Sequence, residues 1–242
     1  MGGMLVRLGI SASALLLAAC SPAGTPVSVL APDAAADAIT AVAELSPDRV
    51  RVSAGGTNGL VRQATGGAPA DVLVTSDKDA MKAAQEAGII TGEPVTIGRS
   101  RLTMVVPEEL AGSIRKLKQL ESTDYALVLC AEPLPCGRAA RRTFDLAGVQ
   151  PAIDSYQSNS SQVLAAVSEG EADATFVWEV EAHDEPGLIM AKVKGGRMPS
   201  TRFQAAALTG SANPEAAERF LQMLASEEGQ EILAQHGFRP GD

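Results

Sequence analysis

The chain has 242 residues, 45% of them hydrophobic, with two histidines and a formal net charge of −9. That apolar fraction, with moderate Gly and Pro, describes a globular chain rather than a disordered one. The acidic balance excludes a nucleic-acid binder, which needs a clustered basic surface against the phosphate backbone. Small anions stay open, because local donors hold them and net charge does not.

Residues Met1 to Cys20 read as an export signal. Arg7 charges the n-region, and Leu8 to Ala19 is apolar. At about a dozen residues that stretch is too short for a bilayer, which takes about 20, and it suits a signal h-region. It ends Leu17-Ala18-Ala19-Cys20, which resembles the bacterial lipobox, where cleavage precedes the cysteine and Cys20 is then acylated. Residues 21–26 (Ser-Pro-Ala-Gly-Thr-Pro) can bury nothing and read as a flexible tether. The expected location is extracytoplasmic, with the membrane touched only through the lipid.

Short β-type runs then alternate with helix-type stretches. Val27 to Ala31 is an apolar strand, Ala34 to Leu45 a helix, Val50 to Ser53 a second strand. Gly55-Gly56-Thr57-Asn58-Gly59 turns into a helix through Leu60, Val61 and Gln63. Ala70 to Thr75 is a third strand, with Ser76-Asp77 capping a helix to Ala87. Leu102 to Val106 is a strand stopped by Pro107. Ala126 to Cys130 repeats the type, and a Pro-rich loop feeds a helix from Gly137 or Arg138. Ser160 to Ser168 is helical, Ala174 to Val177 and Leu188 to Val193 extended, and Phe203 to Leu208 the last strand. Asn213-Pro214 opens a C-terminal helix by a cap and a proline, and Ser226 to Gln235 continues helical. The rhythm predicts an α/β fold of parallel sheets with helices on both faces. The second βα set has its own strands, whereas the last strand and helices do not. Two lobes joined by crossing strands are therefore expected: 27–102 with 200–242, and 103–199.

Without Cys20, two cysteines remain, Cys130 and Cys136. An even pair in an oxidising compartment is expected to be bridged, and the loop Ala131 to Pro135 allows it; two unpaired small side chains are the alternative. In open α/β sheets ligands sit at the carboxyl ends of strands, where loops enter helices. Ala31 to Ala34, Gly55 to Asn58, Leu134 to Gly137 and Ser158 to Ser161 share that placement. Each offers backbone N–H groups with no intrahelical partner and a partial positive charge. Two such loops per lobe would cage a small dianion. Thr57, Asn58, Ser160 and Ser161 add hydroxyl or amide donors, although each taken singly also serves as an ordinary cap.

The run Gly59 to Asp77, above all Ala68-Pro69-Ala70-Asp71-Val72-Leu73-Val74-Thr75-Ser76-Asp77, resembles the molybdate-binding periplasmic proteins of ABC importers. Gly98 to Pro107, Pro135 to Ala140 and Glu169 to Val177 extend the resemblance over nearly all of the mature chain. It implies the two-lobed (type II) periplasmic-binding-protein fold, closure on a tetrahedral oxyanion, and delivery to an ABC permease by a monomer. It also implies contacts from Thr57 in place of a serine, and backbone donors at Cys136 and near Ser160. Two positions depart from the pattern. Ala34, beside Asp33, takes the place of the first-loop serine, and Trp178 that of a tyrosine hydroxyl. Trp178 can donate through its indole. Asp33 either points into the cleft, where it would repel a dianion, or outward, as a helix cap. A second expectation therefore stands beside the oxyanion: a cation or small organic molecule engaged by Asp33 and Trp178.

The group Glu179, Glu181, His183, Asp184 and Glu185 lacks metal-ligand spacing and reads as a solvated loop before the Pro186-Gly187 turn. Arg138, Arg141 and Arg142 read as a solvated basic face. The glycine-rich turn lacks the Gly-Lys-Ser/Thr ending of a phosphate loop. With no Gly-x-Ser-x-Gly elbow, and His183 and His236 its only histidines, general-base chemistry is poorly supplied and an enzyme is not expected. No cofactor or resident metal is called for.

Overall fold

A computed structural model describes residues 25–241; Arg7, Cys20 and most of the tether lie outside the described residues. Among the described residues, nine strands and seven α-helices follow in chain order, largely alternating up to β7. Strand β1 (Val27–Pro32) lies parallel between β2 (Val50–Gly55) and β3 (Val72–Thr75). Next to β3, the returning strand β9 (Ser200–Leu208) runs antiparallel, and β4 (Ile90–Pro107) runs antiparallel to β9.

Strand β4 serves two sheets. Up to Arg101, opposite Ser200, it pairs with β9. From Leu102, opposite Trp178, it pairs with β7 (Thr175–Trp178), and its end also pairs with β8 (Leu188–Ala191). Strands β5 (Val128–Cys130) and β6 (Ser155–Gln157) form a parallel pair, linked to the β7 side by a bridge between Leu127 and Ala174. The parallel pairing expected from the rhythm thus holds among β1, β2 and β3 and between β5 and β6, whereas every pairing of β4 and β9 is antiparallel.

Side chains alternate across each strand, so a fully apolar strand feeds two cores. Val27, Val29 and Ala31 of β1 pack with Ala35, Ile39 and Val42 of α1 (Asp33–Ala43), while Leu30 turns to the opposite face with Leu60 of α2 (Thr57–Thr65) and Ala84 of α3 (Lys78–Glu86). In the other half, Met104, Leu129 and Phe176 meet Phe144 of α4 (Pro135–Ala147), and Val105, Val128 and Val177 meet Val163 and Val167 of α5 (Ser160–Ser168). Each fully buried Leu, Ile or Phe stabilises by about 1.5–3 kcal/mol. Helices α6 (Pro214–Ala225) and α7 (Glu227–Gln235) add Phe220, Leu224 and Leu233 to the first core.

Asp71, in the most distinctive stretch of the sequence, is a strut. Its carboxylate accepts from Ser28 N–H at 2.8 Å, Ser211 Oγ at 2.7 Å and Asn213 N–H at 3.1 Å, tying β1, the start of β3 and the entry to α6 together. Burial pushes its carboxyl up, but these bonds outweigh it and hold the group below the usual range.

Strands β4 and β6 and helix α4 differ from the sequence expectation, β6 having no counterpart in it. The strand expected at Leu102 to Val106 is the second half of an 18-residue strand. Its first half carries Gly92, Glu93, Pro94, Gly98, Arg99 and Arg101, with register shifts between Thr91 and Val95 and between Thr96 and Gly98. Helix α4 begins at Pro135, earlier than expected, because proline is pre-set for the first helical position and loses no hydrogen bond there.

Candidate ligand-binding site

The four loops singled out in the sequence converge. Pro32, Asp33 and Ala34 after β1, Gly55 to Thr57 after β2, Leu134 to Cys136 after β5, and Asn159 and Ser160 after β6 line one cavity of about 30 Å³. That is space for roughly two or three waters. Ser76, Trp178 and Glu181 complete its walls.

Helices α1, α2 and α4 open on the cavity with no side-chain cap on their N-caps Pro32, Gly56 and Leu134. Their first-turn amides therefore keep free hydrogen-bonding capacity and partial positive charge toward the cavity. Helix α5 is capped by the Asn159 side chain, which accepts from Gln162 N–H at 2.9 Å. The approach of α4 is fixed by Gly137, where an added Cβ would lie 2.2 Å from the Ala131 carbonyl oxygen. Cys130 and Cys136 are joined by a disulfide with Cα atoms 5.9 Å apart, which ties the end of β5 to the first turn of α4.

Thr57 and Ser76 are buried and their hydroxyls lie 2.7 Å apart; one donates to the other, and the donor role is open. Trp178 is 4% exposed and packs in the main core. Its backbone N–H, at the cavity, donates to Glu181 Oε2 at 2.7 Å. Asn58 does not line the cavity: its side-chain amide donates to the Pro133 carbonyl at 2.6 Å, bridging the α2 loop to the α4 loop. Among the positions expected in the sequence, Asp33, Ala34, Gly56, Thr57, Cys136, Ser160 and Trp178 come together.

The sequence reading placed Glu181 in a solvated loop, and the structure corrects this. Glu181 is half-buried at the cavity wall, its carboxyl group accepting from Trp178 N–H and from the Ser160 side chain. Burial pushes its pKa up to about 7, opposed by those two bonds and reinforced by the Asp33 charge. Asp33 is also raised, by desolvation. Ser76 was read only as a helix start, although it stands at a strand end like the four chosen loops. Nothing in the acidic run Glu179 to Glu185 marks Glu181 as the inward-facing member. Among the described residues, no group of three or more His, Cys, Asp or Glu is arranged to hold a metal ion.

A cavity ringed by strand-to-helix loops from the sheet of β1 and β2 and from the β5–β6 pair defines a small-solute binding scaffold. The chain belongs to the family of bacterial extracellular solute-binding proteins, whose model matches residues 23–239. Over 188 residues it is 29% identical to the molybdate-binding protein ModA of Mycobacterium tuberculosis, covering 76% of this chain and 70% of that protein. Its fold is that of the periplasmic molybdate-binding protein of Azotobacter vinelandii, with TM-score 0.75 and 16% identity over 89% of this chain and 100% of that one. It is also that of the sulfate-binding protein SubI of Mycobacterium tuberculosis, with TM-score 0.76 and 17% identity over 90% and 88%. No described helix is long and apolar enough to cross a membrane.

Proposed function

We propose that this chain captures a tetrahedral oxyanion of the molybdate or tungstate class and delivers it to the permease of an ABC importer. It does so as a monomer held outside the cytoplasm by a lipid on Cys20. The two lobes are 27–102 with 200–242, and 103–199, with the ligand enclosed between them. The observation that carries this reading is the convergence of uncapped helix starts α1, α2 and α4 on one small cavity. Hydrogen bonds to a charged partner are each worth about 1.5–3 kcal/mol, and neutral amides gain them without counter-charges. Likeness to molybdate-binding proteins in sequence supports the same class of guest.

A second reading rests on Asp33 and Glu181, which both line the cavity. Two carboxylates and no cationic side chain on the wall suit a ligand that carries positive charge. Calorimetric titration of the protein with molybdate, tungstate, sulfate and phosphate separates the two. Strong heat with molybdate and tungstate is expected; silence with all four anions overturns the oxyanion reading.

A further inference from the structure

An anion cage built of amides and hydroxyls has no use for a carboxylate, yet Glu181 stands in this one. It comes from the turn after β7 and is anchored by Trp178 N–H at 2.7 Å and by the Ser160 side chain, both of which belong to the cavity wall. Among the described residues, no Lys or Arg lines the cavity or the cleft beside it. Asp33 faces it from α1, and α5 contributes Ser160. Glu181 and Asp33 also line the adjoining cleft, which holds Asp37, His183, Asp184, Glu185 and His236. Arg239, which follows α7, is paired with Glu179 at 2.7 Å. An ionised carboxylate here would repel a bound dianion, whereas the protonated group could donate to it.

We propose that Glu181 joins ligand capture as a carboxylic acid, with one proton held between its carboxyl and an oxygen of the bound anion. This rests on the oxyanion reading. For a fully ionised dianion such as molybdate the proton comes from water, so carboxylate, proton and dianion combine into one neutral-acid–dianion contact. A hydrogen-bearing dianion such as hydrogen phosphate brings its own proton to the ionised carboxylate. No covalent bond forms and nothing is oxidised. Burial beside Asp33 already holds Glu181 at about 7, so near neutrality the proton is readily available. The site therefore sorts anions by whether they carry a proton, and molybdate affinity falls roughly tenfold per pH unit above that value.

The test is calorimetry of the whole protein with sodium molybdate at pH 8, in buffers of different ionisation enthalpy. Nearly one proton taken up per anion is expected. The Glu181→Gln protein should bind with no uptake and a flat affinity between pH 7 and 8. The wild-type proton count stands even if that variant does not fold. Binding without proton uptake overturns the inference and leaves the oxyanion reading intact. Uptake that persists in Glu181→Gln but vanishes in Asp33→Asn also overturns it. Absence of molybdate heat anywhere between pH 6 and 8 removes the oxyanion reading itself, and the inference with it.

Discussion

Glu181 and Asp33 decide what the site tolerates. The folded carboxyl of Glu181 titrates at about 7 against an ordinary 4.5, so between those values the native state binds more protons than the unfolded chain. Its contribution is fully present below 4.5 and is lost as pH rises through 7. Removing the titration by Glu181→Gln should flatten stability against pH and leave the variant ahead at pH 8 by about 3 kcal/mol. Urea unfolding at pH 5 and pH 8 checks this, and an unchanged slope contradicts it. Asp33→Asn removes a desolvated negative charge from the wall. Oxyanion affinity should rise about tenfold, or about 1.4 kcal/mol; an unaltered dissociation constant contradicts this. Thr57 entered the candidate set only with its companions, because the resemblance puts a serine there; taken singly it reads as an ordinary helix cap. Glu181 was not legible, because its inward turn depends on the Trp178 amide and Ser160, partners that only the fold supplies.

Among the elements, the first turn of α4 has the narrowest tolerance. A Gly137→Ala side chain would meet the Ala131 backbone oxygen, which no rotamer change relieves. The variant should lose about 1–3 kcal/mol of stability, as overpacked sites do, together with ligand affinity, since the Cys136 amide moves with the helix. Thermal unfolding and ligand titration of that variant report the two losses separately. Reducing the Cys130–Cys136 bridge frees a short loop and should cost about 2 kcal/mol by chain entropy, read as a lower Tm with reductant. The helices and most strands were legible where an apolar period meets its own punctuation, as Asp77 does at the start of α3 and Pro214 at the start of α6. The first half of β4 was not. Its glycines, proline and charges are tolerated only because β9, over a hundred residues away, pairs with it. Strand β6 spans three residues, too few for any period.

Across the molecule, polar contacts fasten one half to the other. Asn58 donates to Pro133, Arg138 pairs with Asp77, and Arg239 pairs with Glu179. All three flank the cavity or the crossing strands, so they favour the arrangement in which the loops meet. Arg138→Ala with Arg239→Ala should widen the ligand-free protein in small-angle scattering, and molybdate should restore the compact profile. Equal profiles for variant and wild type would deny these pairs that role. The lobe boundaries proposed above follow the point where β4 leaves β9 for β7. The central claim is most directly tested by a crystal structure of the protein grown with tungstate. The account predicts one strong anomalous peak in the cavity, within hydrogen-bond reach of the amides of Ala34, Thr57, Cys136 and Ser160. A peak elsewhere, or a cation seated between Asp33 and Glu181, would contradict it.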